Sequence, residues 1–121
     1  MRRLLIDDVR YDKEDIYDIP MCDVVCRNPV DGIQALERLE LFDELYLDHD
    51  MGIQGGIELD SGGIVEYSGY GVLCWLEEHP EHMPKAIILV TDNGSAAVKM
   101  AAMLLKYYPH RVGRCFSKND V

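Results

Sequence analysis

Two short apolar runs in this chain each end in carboxylates. Leu4-Leu5-Ile6 leads into Asp7-Asp8, and Leu45-Tyr46-Leu47 leads into Asp48-His49-Asp50. If both runs are neighbouring parallel strands, their acids meet at the carboxyl edge of one sheet, where open α/β folds place their sites. Three or four carboxylates in a half-buried crevice repel one another, and a hard divalent cation relieves that repulsion. Mg²⁺ suits the task, because it takes oxygen ligands and keeps waters and substrate phosphate in its shell. The residues therefore point to a metal and phosphoryl site. His49, between two acids at a strand end, is placed to give or take a proton near neutral pH. Against that, alternate strand residues face opposite ways, which would turn its ring from Asp48 and pack it under the loop that follows.

The elements that must position these residues alternate along the chain. Leu4 to Ile6 reads as a buried strand, 12–20 as a polar loop, and Met21 to Cys26 as a second strand. Asn28-Pro29 reads as a helix N-cap with proline at the first helical position, and Asp31 suits the first turn. Val30, Ile33, Leu36 and Leu39 then form an apolar stripe, with the helix ending near Glu40 to Asp43. After the Asp48 cluster, Gly52 to Gly71 holds seven glycines and is expected to overhang the site as a mobile loop or lid. Its Glu58, Asp60 and Glu66 could approach the metal, but solvated loop acids are the preferred reading. Tyr70 to His79 has a helical pattern with Val72, Leu73, Leu76 and Trp75 inward, stopped before Pro80. Ala86 to Val90 is continuously apolar, as a central parallel strand requires, and runs into Thr91. A last helix follows from a Ser95 cap, with Ala97, Met100, Ala101 and Leu104 on one face, and Val112 to Phe116 closes the series as a strand. His79, His82 and His110 lie beside proline or charge and read as surface residues.

This alternation predicts a parallel sheet with right-handed crossovers. Asp7-Asp8, Asp48 and Thr91 then all fall just past strand ends, on one edge.

Composition narrows the classes. A chain of 121 residues, 48% of them apolar, suits one domain spanning 1–121. No apolar run approaches the roughly 20 residues of a membrane span, and Arg2-Arg3 leads into only three apolar residues, so a soluble cytoplasmic protein without a secretory leader is expected. The four cysteines need no disulfide framework. Cys22 and Cys26 on one strand would stand roughly 13 Å apart, too far to share a zinc ion, so they read as buried thiols. The net charge of −10 is unevenly spread. Residues 95–121 hold five basic side chains against Asp120 alone, a net +4, which leaves −14 on residues 1–94. That basic end is either an anion-binding patch or an ordinary charged helix face.

The motifs carry a resemblance. Strand-Asp7-Asp8, strand-Asp48 and strand-Thr91 follow the pattern of response-regulator receiver domains, with their acidic pair, phospho-accepting aspartate and switch threonine. More specifically, LLIDDVR (4–10), LYLDHDMG (45–52), GYGVLCWLEEH (69–79) and AIILVTDNG (86–94) resemble the derived cyclic-phosphate processing receiver-like domains. The likeness runs to about Tyr108, and its most specific part is Leu47-Asp48-His49-Asp50. It implies a flavodoxin-like, three-layer parallel sheet, and because the chain stops soon after Lys118 the last receiver helix is expected to be lacking. It also implies metal ligation by Asp7, Asp8, Asp48 and the backbone carbonyl of Asp50, a phosphoryl contact from Thr91, and Lys118 in the place of the receiver lysine. Because the family shares His49, the resemblance favours the catalytic reading of that residue. Departures are Val9 for glutamate, Met51 for leucine, Asp92 for alanine, and the insertion between Gly52 and Gly69.

The activity so implied is Mg²⁺-dependent phosphoester processing, of a cyclic phosphate on a nucleotide or an RNA end. Asp48 would be nucleophile or base, and His49 the proton carrier. Two other functions stand beside it. One is a signalling module in which Asp48 accepts a phosphoryl group from a protein partner. The other is a non-catalytic binding protein with an acidic surface.

Overall fold

The computed structural model of the chain describes residues 1–8, 19–51, 55–91 and 94–117, with backbone alone at 110 and 112–117. Its main sheet comprises β1 (Arg3–Ile6), β2 (Val24–Cys26), β3 (Glu44–Leu47), β6 (Ala86–Thr91) and β7 (Val112–Ser117). Between β3 and β6 the chain adds a small antiparallel hairpin of β4 (Ile57–Glu58) and β5 (Ile64–Val65). The main sheet runs β2-β1-β3-β6-β7 and is parallel throughout. Parallel pairing is what the alternation predicts, and the flavodoxin-like order is what the resemblance implies.

Three helices follow strands: α1 (Pro29–Arg38), α2 (Gly69–Glu78) and α3 (Gly94–Tyr107). The steps β2 to β3, β3 to β6 and β6 to β7 all move the same way across the sheet, so right-handed crossovers set all three helices on one face. The burial pattern agrees. Leu4, Ile6, Leu45, Leu47, Ile87 and Leu89 pack with Leu36 of α1, Leu73 and Leu76 of α2, and Met100 and Leu104 of α3. The alternate residues Leu5, Tyr46, Ile88 and Val90 form a second cluster with Ile19 on the other face. Among the described residues no helix lies on that second face. Each fully buried leucine contributes about 2 kcal/mol of transfer free energy, so the helix-covered face supplies most of the core.

Local chemistry sets the ends of the elements. Asn28 caps α1, its Oδ1 accepting from the Asp31 N–H at 2.8 Å. The helix stops at Arg38, short of the expected Glu40 to Asp43, because the chain must turn back early to sink Phe42, 1% exposed, before β3 begins. Strand β2 is likewise shorter than Met21 to Cys26. Asp23 takes the Arg3 N–H on its side chain at 2.8 Å, and Met21 stands in solvent. Helix α3 starts at Gly94, so Ser95 lies inside its first turn instead of capping it. The polar stretch 12–20 falls outside the described residues except for Ile19, which is buried, and Pro20.

From Gly55 onward, among the described residues, the glycine-rich stretch folds as a hairpin where the sequence leads one to expect a lid. Ile57 is 5% exposed, Leu59 packs on the main core, and the turn at Gly62, with φ of 93°, lets the chain reverse between the two short strands. The hairpin tip at Asp60 meets Glu78 and His79 at the far end of α2. A ten-residue helix is about 15 Å long, so the tip sits a helix length from the acidic edge. Apolar side chains at Ile57 and Leu59 explain the difference: they bury on the helices, where a loop over the site would expose them.

Candidate metal centre

The strand register brings the acids together. Ile6 pairs with Cys26 on one side and Leu47 on the other, and the next residues extend both ladders: Asp7 N–H donates to Cys26 O and Asp48 N–H to Ile6 O, each at 3.0 Å. Asp7 and Asp48 therefore leave adjacent strands at the same height. This is also where the strand order reverses, since the chain steps from β1 outward to β2 and then back across to β3, the switch point at which such sheets hold ligands.

Oxygens of Asp7, Asp8 and Asp48 all lie within 4.8 Å of one another. Asp7 and Asp48 are only 1% and 2% exposed, and Asp8 is half-buried. The donor set fits a hard cation. With Mg–O distances near 2.1 Å, opposite ligands stand about 4.2 Å apart, and the longer bonds of Ca²⁺ spread them to about 5 Å. Three carboxylates from two strand ends leave the remaining coordination positions for water or phosphate.

The other residues singled out from sequence are placed in different ways. Thr91 ends β6 on the same edge, fully buried, and continues the helix-facing row of Ile87 and Leu89. It pairs with Ser117 of β7, so that strand also ends at the acidic edge, while Lys118 itself lies outside the described residues, as do Val9 and Asp92. Met51 is buried in the core, filling the position of the leucine it replaces. Asp50 directs its carboxylate to His49 Nδ1, 2.8 Å away, and its backbone bridges Ser68.

His49 is neither free for solvent nor simply packed under a loop. Both ring nitrogens are engaged, Nδ1 with Asp50 and Nε2 with Glu66 Oε1 at 3.1 Å. Glu66 also accepts from Ser68 Oγ at 2.9 Å and stands 3.9 Å from Lys99 Nζ, which in turn covers the Tyr70 ring. Burial works to raise the Glu66 pKa, but the Ser68 hydroxyl, His49 and Lys99 outweigh it and hold the carboxyl below its ordinary value. Ser68 is the N-cap of α2 and takes the Gly71 N–H on its Oγ. The next residue, Gly69, lies so close to the Asp48 carbonyl that any side chain there would overlap it.

Sequence reasoning names Glu66 only as one of three loop acids that could approach the metal, with the solvated reading preferred. Glu66 is exposed but bonds His49 and Ser68, and Ser68 is a recognisable N-cap that anchors this stretch at the sheet edge. Arg27 is the neighbour that it misses. Arg27 follows directly on β2 and so belongs to the same edge; its Nη1 donates to the Asp7 carbonyl at 3.2 Å. Cys22 and Cys74 are half-buried and Cys26 is buried, and burial raises the thiol pKa of Cys26 and Cys74, consistent with inert thiols.

Comparison with known proteins agrees with this geometry. No curated protein matches the chain. Among solved structures it is similar to RcsB from Salmonella enterica serovar Typhimurium, in a structure bound to the promoter rprA in the presence of the phosphomimetic BeF3⁻. That likeness has 18% sequence identity and a TM-score of 0.57, and covers 98% of this chain and 86% of that one. At such identity it speaks for the fold alone. Residues 2–106 match the family model described as the cyclic-phosphate processing receiver domain. With its acidic pair, its Asp48-His49-Asp50 motif and its receiver strand order in place, this chain belongs to the cyclic-phosphate processing receiver domain family.

Proposed function

We propose that the chain processes phosphoesters at the carboxyl edge of its sheet with the help of Mg²⁺, and that cyclic phosphates on nucleotides or RNA ends are the substrate class. The convergence of Asp7, Asp8 and Asp48 within 4.8 Å carries this reading. Bound there, the ion would neutralise phosphate oxygens and orient the phosphorus toward attack. Asp7, Asp8 and Asp48 would hold it, with the Asp50 carbonyl as a further ligand. Asp48 would supply the nucleophilic or basic carboxylate, and Thr91 a contact to a phosphoryl oxygen, with Lys118 the cation beyond β7.

His49 would act as the proton carrier. Because Glu66 occupies Nε2, that role begins with a substrate oxygen taking the place of the Glu66 carboxylate. The exposed Arg27 offers a guanidinium at the same rim, suited to a phosphate oxygen.

The experiment is hydrolysis of 2′,3′-cyclic nucleotides with and without Mg²⁺. The expected result is metal-dependent turnover lost in Asp48→Asn and lowered by about 10²-fold in His49→Ala, in line with general acid–base contributions. Metal-independent turnover, or turnover unchanged in Asp48→Asn, overturns the reading. A signalling reading is supported by the placement of Asp48 and Thr91 on one edge, as phospho-accepting sheets require. In that case BeF3⁻ binds at Asp48 with Mg²⁺ and no cyclic nucleotide is turned over.

A further inference from the structure

The far end of α2 carries a second histidine whose geometry has nothing to do with phosphate. His79 is the C-cap of α2. Its Nδ1 faces the Trp75 carbonyl at 2.8 Å and its Nε2 faces Asp60 Oδ2 at 2.7 Å. Carbonyl and carboxylate oxygens only accept, so both bonds exist together only when both ring nitrogens bear protons. The ring is then an imidazolium, set at the negative end of a helix dipole and stacked on Trp75 with 4.1 Å between centroids.

Asp60 is at the hairpin tip, so this bond crosses between two elements 19 residues apart in sequence. The Asp60 N–H adds a second tie, donating to Glu78 Oε1 at 3.0 Å. We propose that His79 is a proton-operated latch, fastening the β4–β5 tip to α2 while its ring is charged and releasing it when neutral.

The release follows from the donor count. A neutral ring that keeps Nδ1–H for Trp75 turns the Nε2 lone pair toward the Asp60 carboxylate, and attraction becomes repulsion. The ionisable groups around the ring among the described residues are Asp60 from the hairpin, Glu78 from α2, and Glu81 and His82 from the 3₁₀ turn Pro80–His82. All but His82, whose ring centroid is 6.3 Å away, are acids that favour the charged form. Burial lowers the His79 pKa, but the Trp75 carbonyl and the Asp60 carboxylate outweigh it and raise it above its ordinary value of 6.5. The latch is accordingly closed at and below ordinary histidine pKa values, and its contribution is lost as pH rises through the raised folded-state value.

Trp75 is the single tryptophan of the chain, so its emission reads the stacked ring directly. The test follows Trp75 fluorescence, the His79 ring resonances and hydrogen exchange of the Asp60 amide from pH 5 to pH 9, with exchange corrected for its intrinsic pH dependence. In the unmodified chain all three change together, with a midpoint above 6.5 and faster Asp60 exchange on the alkaline side. Asp60 is exposed, so Asp60→Asn leaves the fold intact; it is expected to lower the His79 midpoint and speed Asp60 exchange at acid pH. His79→Gln removes the exchange step, and His82→Gln keeps it. A midpoint unmoved by Asp60→Asn, an Asp60 amide whose corrected exchange is flat across the His79 titration, or a step that disappears with His82 would each overturn the latch.

Discussion

The two ends of α2 handle charge in opposite ways. At its N-terminal end, Asp7, Asp8 and Asp48 crowd like charges into a largely buried edge, while at its C-terminal end Asp60 and Glu78 meet a hydrogen-bonded imidazolium and a backbone N–H. The second arrangement is complete within the chain and serves to fasten a hairpin. The first gathers the donor set on which the proposed cation site rests. The same contrast divides the two histidines. Each has both ring nitrogens engaged, but His79 binds a carbonyl and one carboxylate, whereas His49 is held between two carboxylates beside further acids. A surplus of one charge in a dry place marks chemistry better than the presence of charge as such.

The largest consequence of this contrast concerns Gly69, where the acidic end of α2 touches the Asp48 backbone. Gly69→Ala is expected to cost about 3 kcal/mol in urea unfolding and to weaken cation binding by displacing Asp48. Gly55→Ala, with open space around it, should change neither.

Aspartate-to-asparagine changes should have opposite signs at the two ends. Without added metal at neutral pH, Asp7→Asn relieves repulsion and is expected to stabilise the fold by about 1 kcal/mol. Asp60→Asn, which weakens a largely exposed pair, is expected to destabilise it by about 0.5 kcal/mol. Equal signs in thermal melts would remove the distinction between the two ends.

The smallest effect is on the pH profile. Glu66 and Asp43 are both held below their ordinary carboxyl values, Asp43 by the Arg2 N–H and Lys85. Their contributions are present above the unfolded-state pKa values near 4 and fade as pH falls through the lowered folded values. Stability should therefore decline on acidification below about pH 4, and Glu66→Gln should make that decline shallower.

Much of the sheet was legible because buried parallel strands write themselves as apolar runs. Leu4 to Ile6, Leu45 to Leu47 and Ala86 to Val90 differ from the observed strands by one residue at an end, and carboxylates directly after such runs can only fall at the edge. Asn28-Pro29 announced α1 for an equally local reason. The hairpin was hidden because each of its strands has two residues, too few for alternation to show, and because glycines signal turns without saying where the turn lies. Partnerships across long separations were also invisible. Nothing near His79 in sequence names Asp60, so its immediate neighbours make it read as a surface residue, and nothing near His49 names Glu66 as its partner, although the motif around His49 favours a functional reading.

The central claim is that three aspartates from two strand ends make one cation site, and titration of Mg²⁺ by calorimetry, paired with thermal melts, tests it most directly. The chain should bind one Mg²⁺ and gain about 2.7 kcal/mol of stability when the ion is at 100 times its Kd, with both signals lost in Asp7→Asn and in Asp48→Asn but kept in Asp60→Asn. Binding that survives both of the first two substitutions, or no binding by the unmodified chain, would contradict the account.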